Sequence, residues 1–154
     1  MKTRAPVRFP LLAVFLVLLA LVGACAEDLS LDIRDLAQVT KFAFGPGAKS
    51  GKISEGEKKF HDLYHNKFAV TYLESVFQQG TVEAKMYALV GLRHKAPQVY
   101  EQYARANHAL LRTQKVHAVL DGVSSKEDAT HILKKIDAGD YDAYLKKPAN
   151  LGQD

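Results

Sequence analysis

The chain has 154 residues, 47% of them apolar and 25% charged, which is enough for one domain around a single core and too little for two. Its lone cysteine excludes an intrachain disulfide. Of the formal charge of +4, three units come from Lys2, Arg4 and Arg8; with no acid in residues 1–26, the remainder carries only +1, so no basic footprint for nucleic acid is expected.

Residues 1–26 read as an export signal. Lys2, Arg4 and Arg8 form a positive start, Leu11 to Val22 is an unbroken apolar run, and small residues follow at Gly23, Ala24 and Ala26. The run is short of the roughly 20 apolar residues that a membrane-spanning helix needs. The stretch Leu21-Val22-Gly23-Ala24-Cys25 resembles the lipobox of bacterial lipoproteins. By that resemblance Cys25 is lipidated as the first residue of the mature protein, and Ala26 behind it points to the outer membrane. Ala24-Cys25-Ala26 also reads as an A-x-A site cut after Ala26, which yields a soluble periplasmic or secreted protein without the cysteine.

Beyond the leader, Leu29 to Asp35 is weakly helical, with Leu29, Ile33 and Leu36 available for one face. Val39 to Phe44 is rich in β-branched and aromatic residues and reads as a strand ended by Gly45-Pro46-Gly47. The glycines at 45, 47 and 51 have neither nucleotide-loop spacing nor a helix opening directly on them, so a turn and connector is expected. Ser54-Glu55-Gly56-Glu57 is a capping box for a helix running to about His65, which turns Phe60, Leu63 and Tyr64 inward. Asn66-Lys67 breaks it, and Phe68 to Gln79 follows as an amphipathic helix stopped by Gly80, with Phe68, Tyr72, Val76 and Phe77 on its apolar side.

Thr81 then caps a helix with no polar face between Met86 and Leu92, which must therefore be surrounded. Ala84, Ala88 and Gly91 give it a stripe where another backbone can approach. Pro97 opens the next helix, where Val99, Tyr103, Ala106 and Leu110 repeat as the inward stripe with Tyr100 beside them. These successive helices resemble HEAT-type repeats in packing rhythm. Lys115 to Leu120 reads as a second strand before an Asp121-Gly122 turn, and 39–44 with 115–120 is the candidate for a small two-stranded ribbon. Ser125 is expected to cap a helix to Ile136, with Asp128 at the box position and Gly139 as its stop; 140–145 makes one more short turn.

The expected architecture is a mainly α compact helical bundle: signal 1–26, one domain 27–147 and a frayed tail 148–154. The nearest approach to a metal motif is His61-Asp62-Leu63-Tyr64-His65, two histidines four apart with a carboxylate where a zincin has its general base. The ordinary reading of His61 and His65 is as boundary residues at the edge of the Phe60/Tyr64 face. Asp137, Asp140 and Asp142 lack calcium-loop spacing and fit helix termination better. Tyr72, Tyr87, Tyr100 and Tyr103 are candidates to line a polar-tipped ligand pocket. No nucleophile elbow is visible, and no cofactor is expected. The resulting reading is an exported, lipid-anchored envelope protein acting as a non-enzymatic binding or assembly module. Its partners would be the membrane, through the lipid on Cys25, and an envelope protein. The alternatives are a metal-dependent hydrolase using His61, Asp62 and His65, and a small-ligand carrier lined by the tyrosines.

Overall fold

A computed structural model describes residues 31–46 and 52–146. The expected leader with Cys25, most of the glycine connector and the expected 148–154 tail lie outside the described residues. Helix α1 (31–37) is followed by strand β1 (Phe42–Phe44), then α2 (Glu55–Tyr64), α3 (Ala69–Gln79), α4 (Val82–Lys95) and α5 (Pro97–Leu111). Strands β2 (Lys115–Leu120) and β3 (Val123–Asp128), helix α6 (Ala129–Ala138) and a 3-10 turn, Asp142–Leu145, complete the order. The fold is mainly helical with a small sheet, as the periodicities indicate.

Local chemistry sets most of the helix ends. Ser54 accepts the Glu57 amide at 3.0 Å, and Thr81 accepts the Ala84 amide at 3.1 Å while donating to the Val39 carbonyl at 2.6 Å. Pro97 occupies the first turn of α5, where its missing N–H leaves nothing unpaired. Gly139 ends α6 with φ +85, the left-handed region that glycine enters at least cost. Gly80 ends α3 for a different reason. Its backbone is extended, but a Cβ there would lie 2.6 Å from the Val76 carbonyl oxygen and 2.7 Å from the Ala84 Cβ.

The core is built on α4. From Met86 to Leu92 every residue of this helix is buried, flanked by α3 on one side and α5 on the other. At Gly91 side chains of α3 and α2 leave no room for a side chain: a Cβ there would meet Leu73 Cδ1 at 2.6 Å and Phe60 Cε2 at 3.2 Å. Phe42, Phe44, Phe60, Tyr87 and Tyr141 form an aromatic cluster with ring centroids 5.0–5.6 Å apart. Edge-on pairs such as Phe42–Phe44 at 89° bring ring edge to ring face, the favourable quadrupole arrangement.

The sheet has the order β1-β2-β3. Strand β1 pairs with β2 in parallel, Phe42 opposite Ala118 and Phe44 opposite Leu120, so the two expected segments do meet. The strand at β1 is shorter than expected, beginning at Phe42 and not at Val39. On the side away from β2, the Ala43 amide donates to the Tyr87 hydroxyl at 2.8 Å, and that hydroxyl donates back to the Ala43 carbonyl at 2.6 Å. One phenol thus satisfies backbone groups that an edge strand would otherwise leave open.

Other expectations are corrected too. Ser125 does not cap a helix; it lies in β3, which pairs antiparallel with β2 through a turn where Asp121 has φ 46 and Gly122 φ 79. Both central residues at positive φ suit the right-handed twist of a two-residue hairpin. Asp128 is the N-cap residue of α6, and Ile132, Leu133 and Ile136 are buried on that helix. The second correction concerns α5. Its inward residues are Tyr100 and Leu111, while Ala106 is exposed and Leu110 stands 51% exposed. Phe68 likewise points outward, 52% exposed, at the N-cap of α3.

Candidate functional site

The histidine pair of α2 divides between core and solvent. His61 is wholly buried, His65 is exposed, and their rings stack at 5.8 Å with 9° between planes. Parallel rings do not converge two nitrogens on one point, and Asp62 is exposed. Facing His61 inside the core is Glu57, one turn earlier, with Oε1 3.8 Å from Nε2. Among the described residues, both His61 ring nitrogens and Glu57 Oε2 find no hydrogen-bond partner. Glu57 thus supplies more than a first-turn charge: it is 2% exposed and spends its carboxylate on the interior. The signal was present in the sequence, because 57, 61 and 64 share the inward face at helical spacing. Among the described residues no group of three or more His, Cys, Asp or Glu side chains could hold a metal ion.

The four tyrosines do not meet. Tyr87 is sealed into the core by Ala43, and burial drives its ionisation far above the ordinary range. Tyr72 is buried on α3. Tyr103 packs its ring on Phe77 at 4.7 Å and accepts from Gln78 Nε2 at 3.0 Å. Tyr100 lines a cavity. This is an open cleft of about 630 Å³ between α5 and α6, bordered by Tyr100, Arg105, His108, Leu133, Lys134 and Asp137.

The floor of that cleft is a built polar contact. The Tyr100 hydroxyl donates to Asp137 Oδ1 at 2.5 Å, and burial followed by the neighbouring carboxylate pushes the phenol well above its usual ionisation. Arg93 at the end of α4 donates Nη2 to the Asp137 carbonyl at 3.1 Å and Nη1 to Asp142 Oδ1 at 2.8 Å. Two of the three acids that suggested calcium are therefore occupied in joining α4, α5 and the end of α6. Cations at the rim (Arg105, Lys134) stand against acids at rim and floor (Glu101, Asp137), so the cleft carries no single sign of charge.

A second polar pair lies on the sheet. His117 Nε2 and Ser124 Oγ are 2.9 Å apart across β2 and β3, next to Lys126 on an open surface. The His117 amide, left beyond the end of β1, donates to Glu83 Oε1 at 3.1 Å. The surface around this pair is shallow and is lined by His117, Ser124, Ser125 and Lys126. No family model matches the chain, and no curated protein or solved structure is significantly similar to it.

What the described surface offers most plainly is α5. Of its 15 residues only Tyr100 and Leu111 are buried. One flank borders the α6 cleft, and the opposite flank carries Val99, Tyr103, Ala106 and Leu110 beside α3.

Proposed function

We propose that this chain is an exported, lipid-anchored envelope protein whose helical domain is a non-enzymatic binding or assembly module. The observation that carries this reading is helix α5, which is anchored by two buried side chains and leaves Ala106, Ala109 and Leu110 exposed beside charged residues. A helix that contributes so little to its own core is a surface for another molecule, since exposed contiguous apolar side chains mark interaction sites more often than chance. Support for the anchor comes from the Leu11 to Val22 apolar run and the Leu21 to Cys25 lipobox resemblance. Tethering through Cys25 would hold the domain at a membrane, where partners meet it at raised effective concentration.

The test has two readouts. Mass spectrometry of the exported protein should show acyl groups on residue 25, and Cys25→Ser should shift the protein from the membrane to the soluble fraction. Affinity capture from the envelope should recover partners that are lost on Leu110→Asp with the fold unchanged by circular dichroism. An unmodified residue 25 rejects the anchor, and a capture profile indifferent to Leu110 rejects α5 as the surface.

A further inference from the structure

We propose that the cleft between α5 and α6 binds a short peptide, two or three residues long, with both of its ends free. The cleft lies on the flank of α5 that borders α6, so the proposal rests neither on the opposite flank nor on the lipid anchor.

The two helices run in opposite directions along the cleft. Near the start of α5, Tyr100 meets Asp137 at the end of α6. Beyond the end of α5, the Gln114 carbonyl accepts the Ala129 amide at 3.0 Å, at the start of α6. The order of charges along the two helices is reversed as well. On α5 the acid comes first, Glu101 before Arg105 and His108; on α6 it comes last, Asp137 after Lys134. Antiparallel helices with opposite charge orders put both acids at one end of the cleft and the basic groups toward the other. The cleft is polarised along its length although its charges balance.

A ligand that matches this field carries a positive and a negative group at opposite ends, and spacing decides which ligand. At about 1.5 Å of rise per residue, Asp137 to Lys134 is about 4.5 Å along the axis, Glu101 to Arg105 about 6 Å and Glu101 to His108 about 10 Å. The ammonium and carboxylate of a single amino acid share one carbon and are too close to span this. Each further residue of an extended peptide adds about 3.3–3.6 Å, so two or three residues fit.

The individual groups are placed for the task. Asp137 gives Oδ1 to the Tyr100 hydroxyl, which orients the carboxylate so that Oδ2 can accept from an ammonium. Arg93, close by, is committed to Asp142 and to the Asp137 carbonyl. Lys134 is exposed and makes no ion pair among the described residues, so it can meet a carboxylate. Glu101 and Arg105 answer each other in water, their side chains 61% and 81% exposed, a weak pair that can open toward a ligand. Between the charged ends lie buried Leu133 and Tyr100 with half-buried Ala104, an apolar floor for small side chains. The volume of about 630 Å³ falls inside the usual range of ligand sites, about 300–1,000 Å³.

The test is titration of the full chain with tri-alanine, followed by nuclear magnetic resonance of the peptide. A dissociation constant of about 0.1–1 mM is expected for a ligand of this size. Acetylating the amino end or amidating the carboxyl end should each weaken binding about tenfold, since each removes a charge-assisted contact. Free alanine should bind about tenfold more weakly than tri-alanine, because it reaches only one of the two ends. Lys134→Gln should weaken tri-alanine about tenfold and leave the amidated peptide unchanged, because the contact it removes is already missing there. Asp137→Asn, which keeps an oxygen for Tyr100, should act in the same way toward the acetylated peptide. Lys134 is exposed, so circular dichroism of its variant should match the parent.

Absence of saturable binding up to about 10 mM tri-alanine overturns the proposal. So does equal affinity for the free and the blocked peptides, or a Lys134→Gln variant that weakens free and amidated peptides alike. Free alanine binding as tightly as tri-alanine rejects a peptide as the ligand.

Discussion

Helices α4 and α5 are sequence neighbours of almost equal length, 14 and 15 residues, and meet different fates. In α4 an unbroken run from Met86 to Leu92 is buried; in α5 two side chains are. Apolar content alone does not explain this, since α5 has its own helical repeat of Val99, Tyr103, Ala106 and Leu110. The difference is position in the packing. Helix α4 has α3, α5, α6 and the sheet around it, whereas α5 has α4 beneath it and neighbours only at its sides. An amphipathic stripe states that a helix can be covered. It does not state that its own chain will cover it.

The sharpest way to break the buried side of this comparison is alkali. Burial is the main cause raising the ionisation of Tyr87, Tyr100, Tyr141 and Tyr144 above the ordinary 10.0, with Tyr144 pushed up to about 12. A folded value raised above the unfolded one means stability that is complete below pH 10 and is lost as pH climbs toward the folded value. Cooperative unfolding between about pH 10 and 12 is therefore expected. Tyrosinate absorbance should rise together with loss of ellipticity; ionisation of all seven tyrosines while the helices persist would contradict the burial.

Leu89→Ala, at a wholly buried position of α4, should cost about 3 kcal/mol in urea denaturation through lost transfer energy and the cavity left behind. Tyr87→Phe keeps the ring and removes the hydroxyl that answers both Ala43 groups, so a loss of about 2 kcal/mol is expected. Amide exchange at Ala43 should accelerate in that variant. The smallest effect belongs to α5: Leu110→Ala should change monomer stability by less than about 0.5 kcal/mol. A loss comparable to that at Leu89 would mean that Leu110 is part of the core, and the contrast between the helices would fail.

The same contrast explains what could be read in advance. Caps at Ser54, Thr81 and Pro97 and the stop at Gly139 were legible because each is settled within a few residues by hydrogen bonding or backbone strain. Strand β3 was not. Val123-Ser124-Ser125-Lys126-Glu127-Asp128 has no alternating apolar face, and Ser125 with Asp128 imitates a helix start. It is a strand because a positive-φ turn folds it onto β2 and the ladder satisfies its backbone. Glu57 was legible as a first-turn acid, whereas its burial against His61 depends on the aromatic residues that α4 and β1 bring over α2.

Residue order by itself determined the helical character of the domain, its breaks, and the self-sufficiency of α4 as a core helix, because these follow from local bonding and from an apolar surface too wide to leave wet. Only the tertiary structure decided which side of α5 is covered, that Tyr87 closes the edge of β1, and that Tyr100 reaches the cleft beside α6. Those outcomes depend on which elements lie alongside, and packing across long sequence separations leaves no periodicity in the residues it joins.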